Sequence, residues 1–158
     1  MKETYNSSVE ITDLVRAFES CTLDRGLWTH HAHMTVALWY LMRRPREEAT
    51  RLIREGIKRY NDACGVITTK DSGYHETVTL FYIWMVDDFV KGFDGTESIV
   101  ETANRLIKAR GDKTLPLQYY SRERLMSWEA RTRWVEPDLR PLARTEGDET
   151  SVELATKP

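Results

Sequence analysis

Two stretches of this chain are apolar nearly all the way round a helix, and they limit its fold more than any other feature. They are "HMTVALWYLM" (33–42) and "HETVTLFYIWM" (75–85). A helix with no polar face belongs at the centre of a domain, because every side of it must be covered. The segments around them are amphipathic. Ile11, Leu14, Val15 and Phe18 mark one face of a helix over about 9–21, and Ala49, Leu52, Ile53 and Ile57 form a narrow stripe over about 45–65. A fifth helix covers "TESIVETANRLIKARG" (96–111), with Thr96 as a candidate cap, and the central pair extends over about 24–43 and 74–90, with Asp24 as the candidate start of the first. No stretch alternates as a strand does. The reading is an all-α, up-and-down bundle of about five helices, with two central helices and three outside them.

Residues 112–142 read as an irregular arm with one or two short helices, which Ser121 and Ser127 are placed to cap. Residues 1–142 then form one helical domain. Residues 143–158 are polar, acidic and free of aromatics, and are expected to be a disordered tail.

The two central segments share the pattern H-x-T-V-x-L-aromatic-Y. The segments that follow, "ATRLIR" (49–54) and "ANRLIK" (103–108), share A-x-R-L-I-basic in the same order. The match implies a duplicated helical hairpin, with about a dozen extra residues in the second copy. Short loops between alternating helices make helices 2 and 4 parallel. Their N-termini then share one end of the bundle, where a pseudo-twofold axis would set His33 and His75 face to face.

That end holds all four histidines of the chain, in "WTHHAH" and "GYHET". His30 and His33, at i and i+3, share a helix face, whereas His31 lies about 100° round the axis. His30, His33 and His75 are therefore the candidate metal ligands, three protein donors with an open position as in catalytic sites. His75 and Glu76 are the candidate catalytic pair, with Glu76 as base or as acceptor for an imidazole N–H. Helices 1 and 3 finish at the same end and bring Cys21, Tyr60, Asn61 and Cys64 toward it. Trp28, Tyr60, Asn61 and Tyr74 are candidate substrate contacts. From the arm come Tyr119 and Arg122, with Tyr120, Arg124 and Arg131 nearby as a source of a cation for an anionic substrate. Asp87 and Asp88 read as a solvated end of helix 4.

Three nitrogens suit zinc, iron, copper or nickel, so the metal stays open. The leading expectation is a metal-dependent enzyme that acts on a small molecule by activating water, dioxygen or a substrate oxygen. A metal-free acid–base lyase or isomerase using His75 and Glu76 is the second. A non-catalytic interaction or regulatory module is the third.

Composition narrows the partners. The net charge is −2, without a basic stripe, which argues against nucleic acid. The polar start "MKETYNSSVEITD", the two cysteines and the short apolar runs are those expected of a cytoplasmic protein with reduced thiols and no membrane span. A homodimer is left open.

Over residues 9–142, the motifs "WTHHAH", "GIKRYNDACG", "GYHETVT" and "PDLRPL" resemble a family of small bacterial helical proteins that carry W-T-H-x-A-H and G-Y-H-E-T. That resemblance implies sites at His30, His33, His75 and Glu76, and no substrate. The architecture is also similar to that of DinB-like metalloproteins, small bundles with three histidines on a divalent metal. Their paired histidines come late and are spaced H-x-x-x-H, whereas the pair here comes early and is spaced H-x-x-H.

Overall fold

The computed structural model describes residues 4–143, and the expected tail lies outside the described residues. Helix α1 covers Ser8–Glu19, α2 His30–Leu41, α3 Arg46–Ala63, α4 Glu76–Lys91 and α5 Ile99–Arg110. Two short helices, α6 (Arg122–Leu125) and α7 (Trp128–Thr132), follow in the arm, and single 3-10 turns lie at Arg25–Leu27 and Leu115–Gln118. The described residues are all-helical, as the periodicity requires.

Helix α2 is the central element and packs against α1, α3, α4 and α5. Met34, Thr35, Val36, Ala37 and Leu38 are consecutive and all buried, which only a helix covered on every side permits. Around it, α3 buries the stripe Ala49, Ile53, Gly56, Ile57 and Tyr60. At Gly56 a Cβ would lie 2.9 Å from the Phe18 ring, so the missing side chain is what lets α1 and α3 approach closely.

The caps differ in part from expectation. Ser121 and Ser127 cap α6 and α7 as read. Helix α2 is capped by Thr29, which accepts from the Ala32 N–H, while Asp24 caps the 3-10 turn by accepting from Gly26. Helix α5 is capped by Ser98 in a reciprocal box with Glu101, two residues later than Thr96 would set it.

The hairpin repeat expected from the sequence does not extend to packing. Helix α3 lies along α2, but α5 lies chiefly on α2 and α1 rather than along α4. The flank left open on α4 is covered by the arm, with α7 packed on it. Thr77 fastens that cover, since its hydroxyl donates to the Arg133 carbonyl at 2.8 Å and accepts from the Val135 N–H at 3.2 Å. No helix among the described residues is long and apolar enough to cross a membrane.

Candidate functional site

The helix ends meet as the alternating topology demands. The end of α3, the start of α2 and the start of α4 surround an open-mouthed cavity of about 330 Å³. Trp28, His33, Tyr60, Asn61, Tyr74 and His75 line it, together with Arg25, Ile57, Val66, Gly73, Val78 and Thr79. Five of these polar and aromatic positions were legible as site residues with His33; Arg25, Val78 and Thr79 were not.

One wall is a stack of rings. Phe18 stacks on Trp28 with centroids 4.6 Å apart, and the His33 ring lies against Trp28 at 3.7 Å, tilted by 32°. Gly56 seats Phe18, Phe18 seats Trp28, and Trp28 seats the imidazole. The His33 Nδ1–H donates to the Thr29 carbonyl at 2.8 Å, one turn back along α2. This bond fixes the tautomer and leaves Nε2 as a bare lone pair. Burial pushes the His33 pKa down from 6.5 to about 4, against the Thr29 bond that raises it and with His30 nearby lowering it further. At neutral pH the ring is uncharged.

His75 is built differently. It is the N-cap of α4, where its Nδ1 accepts from the Val78 N–H at 3.2 Å. Its Nε2–H donates to the Leu125 carbonyl of α6 at 2.8 Å. Both nitrogens are thus spent on backbone groups. Burial lowers its pKa, with the Leu125 bond opposing. The ring tethers the arm to the start of α4 and offers the cavity only its carbon edge.

Glu76 is also committed. It is buried, accepts from the Tyr74 hydroxyl at 2.6 Å and pairs with the Arg54 guanidinium at 2.5 Å. Burial and the Glu76 bond keep the Tyr74 phenol protonated far above the usual range. Glu76 therefore holds α3, α4 and the Tyr74 ring together, and it does not line the cavity as a base would.

The expected three-imidazole ligand set is not assembled. His75 has no lone pair to give without releasing the α4 cap. His30 turns its ring edge-on to Tyr82 at 4.8 Å, outside the cavity wall, with Nε2 buried and unpartnered. Burial and the neighbouring His31 lower its pKa to about 4. His31, which the face argument set apart, points to α5, where its Nε2–H reaches the Gly111 carbonyl at 3.3 Å. Among the described residues, no group of three or more His, Cys, Asp or Glu side chains is disposed to hold a metal ion. The donor atoms present do not fit the resident metal that the histidine count suggested.

The arm covers α4 but does not supply the cavity with a cation. Tyr119 is buried against Phe81 and Trp84, and Arg122 is exposed on α6; neither lines the cavity. Arg131 is buried and donates to the Lys70 and Gly73 carbonyls at 3.0 and 3.3 Å. It pins the loop before α4. Gly73 in that loop has φ +86, and a Cβ there would lie 2.6 Å from the Thr68 Cα, so the turn into Tyr74 and His75 requires glycine. Asp87, read as solvated, is buried and paired with Arg46 and Lys91 at the far end of the bundle.

Comparison with protein-family models, with curated proteins and with solved structures finds no match to this chain.

Proposed function

We propose that the cavity between α2, α3 and α4 is the active site of an enzyme that acts on a small molecule by acid–base chemistry, with His33 as the proton acceptor. The observation that carries this reading is the His33 ring itself. Its tautomer is fixed by the Thr29 carbonyl, and its unprotonated Nε2 has no protein partner at the wall of a cavity. A cavity of about 330 Å³ is at the small end of ligand sites, which suits a metabolite-sized molecule rather than a chain.

The surroundings support proton transfer. When Nε2 takes a proton from a bound molecule, Nδ1–H stays on the Thr29 carbonyl, and the positive ring lies against the Trp28 face. Burial disfavours the imidazolium. A bound anion offsets that penalty and moves the proton affinity of Nε2 toward neutral pH, where general bases work best. Proton uptake is then coupled to occupancy of the site.

A panel of small carbon acids tests the reading in deuterated solvent, with exchange at carbon followed by NMR. The reading expects exchange that persists in chelator and is lost in His33→Gln. Exchange that chelator abolishes would instead support a metal-dependent reaction, which needs His75 to leave both of its backbone bonds. Binding with no exchange across the whole panel would support a binding module and sink the enzymatic reading.

A further inference from the structure

Arg25 is the residue of the cavity that the histidine motifs did not announce. Among the described residues that line the cavity, it alone carries a permanent charge, and no Asp or Glu side chain is among them. The acids nearby are already used. Glu76 is paired with Arg54 and bonded by Tyr74, and Asp24 caps the 3-10 turn by accepting from the Gly26 N–H at 2.7 Å. The Arg25 guanidinium makes no ion pair or side-chain hydrogen bond among the described residues. Burial pushes the Tyr60 phenol up to about 12, with Arg25 nearby opposing that rise and Asp24 adding to it.

The backbone under Arg25 is held at several points. The Tyr60 hydroxyl donates to the Leu23 carbonyl at 2.9 Å, the Leu27 N–H to Asp24 at 2.9 Å, and the Trp28 N–H to Arg25 at 3.2 Å. The turn that carries the guanidinium is therefore anchored to the end of α3 and runs straight into Trp28, the ring that seats His33. An unpaired guanidinium on a held turn and a fixed, bare imidazole nitrogen flank one cavity, whose other walls are mainly aromatic and aliphatic with Asn61 and Thr79 among them.

These two groups ask for opposite things. A guanidinium takes an oxyanion, best a carboxylate, which it binds with two parallel N–H bonds. A neutral imidazole lone pair takes an O–H or N–H hydrogen and gains nothing from an anion. We infer that the ligand is a small organic carboxylate that also carries a hydroxyl or amine hydrogen, with the carboxylate on Arg25, the hydrogen on His33 Nε2 and an apolar body against Trp28 and Tyr60. This assignment rests on the reading of His33 given above and adds the substrate class and the residue that selects it. The carboxylate also supplies the negative charge that favours a protonated His33.

The test uses the full chain with 3- and 4-hydroxybenzoate and the matching neutral 3- and 4-hydroxybenzamide as probes. Binding is followed through the His33 ring and Trp28 indole NMR signals. At least one acid is expected to move both sets of signals with a millimolar Kd and to bind about fivefold or more tightly than its amide, a preference that shrinks as salt is raised. Arg25→Gln removes the preference, chiefly by weakening binding of the acid, while Arg25→Lys restores part of it. Because Arg25 is exposed, both variants are expected to keep the wild-type spectrum elsewhere. If acid and amide bind alike at His33, or if Arg25→Gln leaves the preference intact, the carboxylate assignment is overturned and the His33 site stands. If no probe moves His33, the assignment is overturned together with the reading on which it rests.

Discussion

The starts of α2 and α4 carry the same H-x-T-V signature and use it in opposite ways. In α2 the helix begins at His30, so His33 lies a full turn inside it, with Nδ1–H on the Thr29 carbonyl and Nε2 free. In α4 the helix begins at Glu76, so the matching His75 is the cap and has no free nitrogen. The difference comes from the residues before each motif. Thr29 caps a turn that Asp71 at the matching position cannot continue, because Gly73 breaks the path with φ +86. The threonines diverge likewise. Thr35 bonds back within its own helix to the His31 carbonyl, whereas Thr77 fastens the arm. One histidine keeps a nitrogen free at a cavity wall, and the matching one is a joint.

This contrast is open to direct attack. The largest effect is expected at the joint. His75→Ala removes the α4 cap and leaves the Leu125 carbonyl without its donor, at a cost of about 2–3 kcal/mol in chemical denaturation. His75→Asn keeps a capping oxygen and should recover about 1 kcal/mol of that. A loss as small as that of an ordinary surface substitution would remove the structural role assigned to His75.

Next comes the threonine pair. Thr77→Val strands the Val135 N–H and the Arg133 carbonyl and is expected to cost about 2 kcal/mol, with faster amide exchange over 130–139. Thr35→Val deletes only a hydroxyl bonded within its own helix and should cost about 0.5 kcal/mol or less. Equal losses at the two sites would show that the motif does the same work twice.

His33→Gln should be milder than Thr77→Val, about 1 kcal/mol at neutral pH, since only its bond to Thr29 and its contact with Trp28 are lost. Its signature is in the pH profile. The His33 pKa falls from 6.5 unfolded to about 4 folded, so the unfolded chain binds the extra proton between those values. Stability from this group is complete above about pH 6.5 and is lost as pH falls toward 4. His30 contributes over the same window. His33→Gln should therefore flatten, without abolishing, the acid slope between those limits. An unchanged slope would mean that His33 titrates as it does in water.

The architecture was legible because it follows from pattern alone. Two helices without a polar face must be central, and short alternating connections must bring the ends of α1 and α3 to the starts of α2 and α4. That logic places Trp28, His33, Tyr60, Asn61 and Tyr74 at one end of the bundle, and in the structure they line one cavity there. What stayed hidden depends on where each backbone starts and on distant partners. The role of His75 turns on a helix boundary set by Gly73 and on a carbonyl 50 residues later. Glu76 looked like a base because its partner Arg54 comes from another helix. Arg25 had a faint signal in "DRGL", a turn just before the histidine cluster, but nothing in the sequence shows that its charge goes unpaired.

The central claim is that His33 and His75 are different tautomers with different duties. Imidazole ring NMR on labelled full-length protein at neutral pH reads this directly, first alone and then with zinc added. The account predicts a neutral His33 protonated on Nδ1 and a neutral His75 protonated on Nε2, with zinc leaving His75 and its cap bond to Val78 unmoved. The same tautomer at both positions, or a zinc-induced shift of His33 and His75 together, would contradict it.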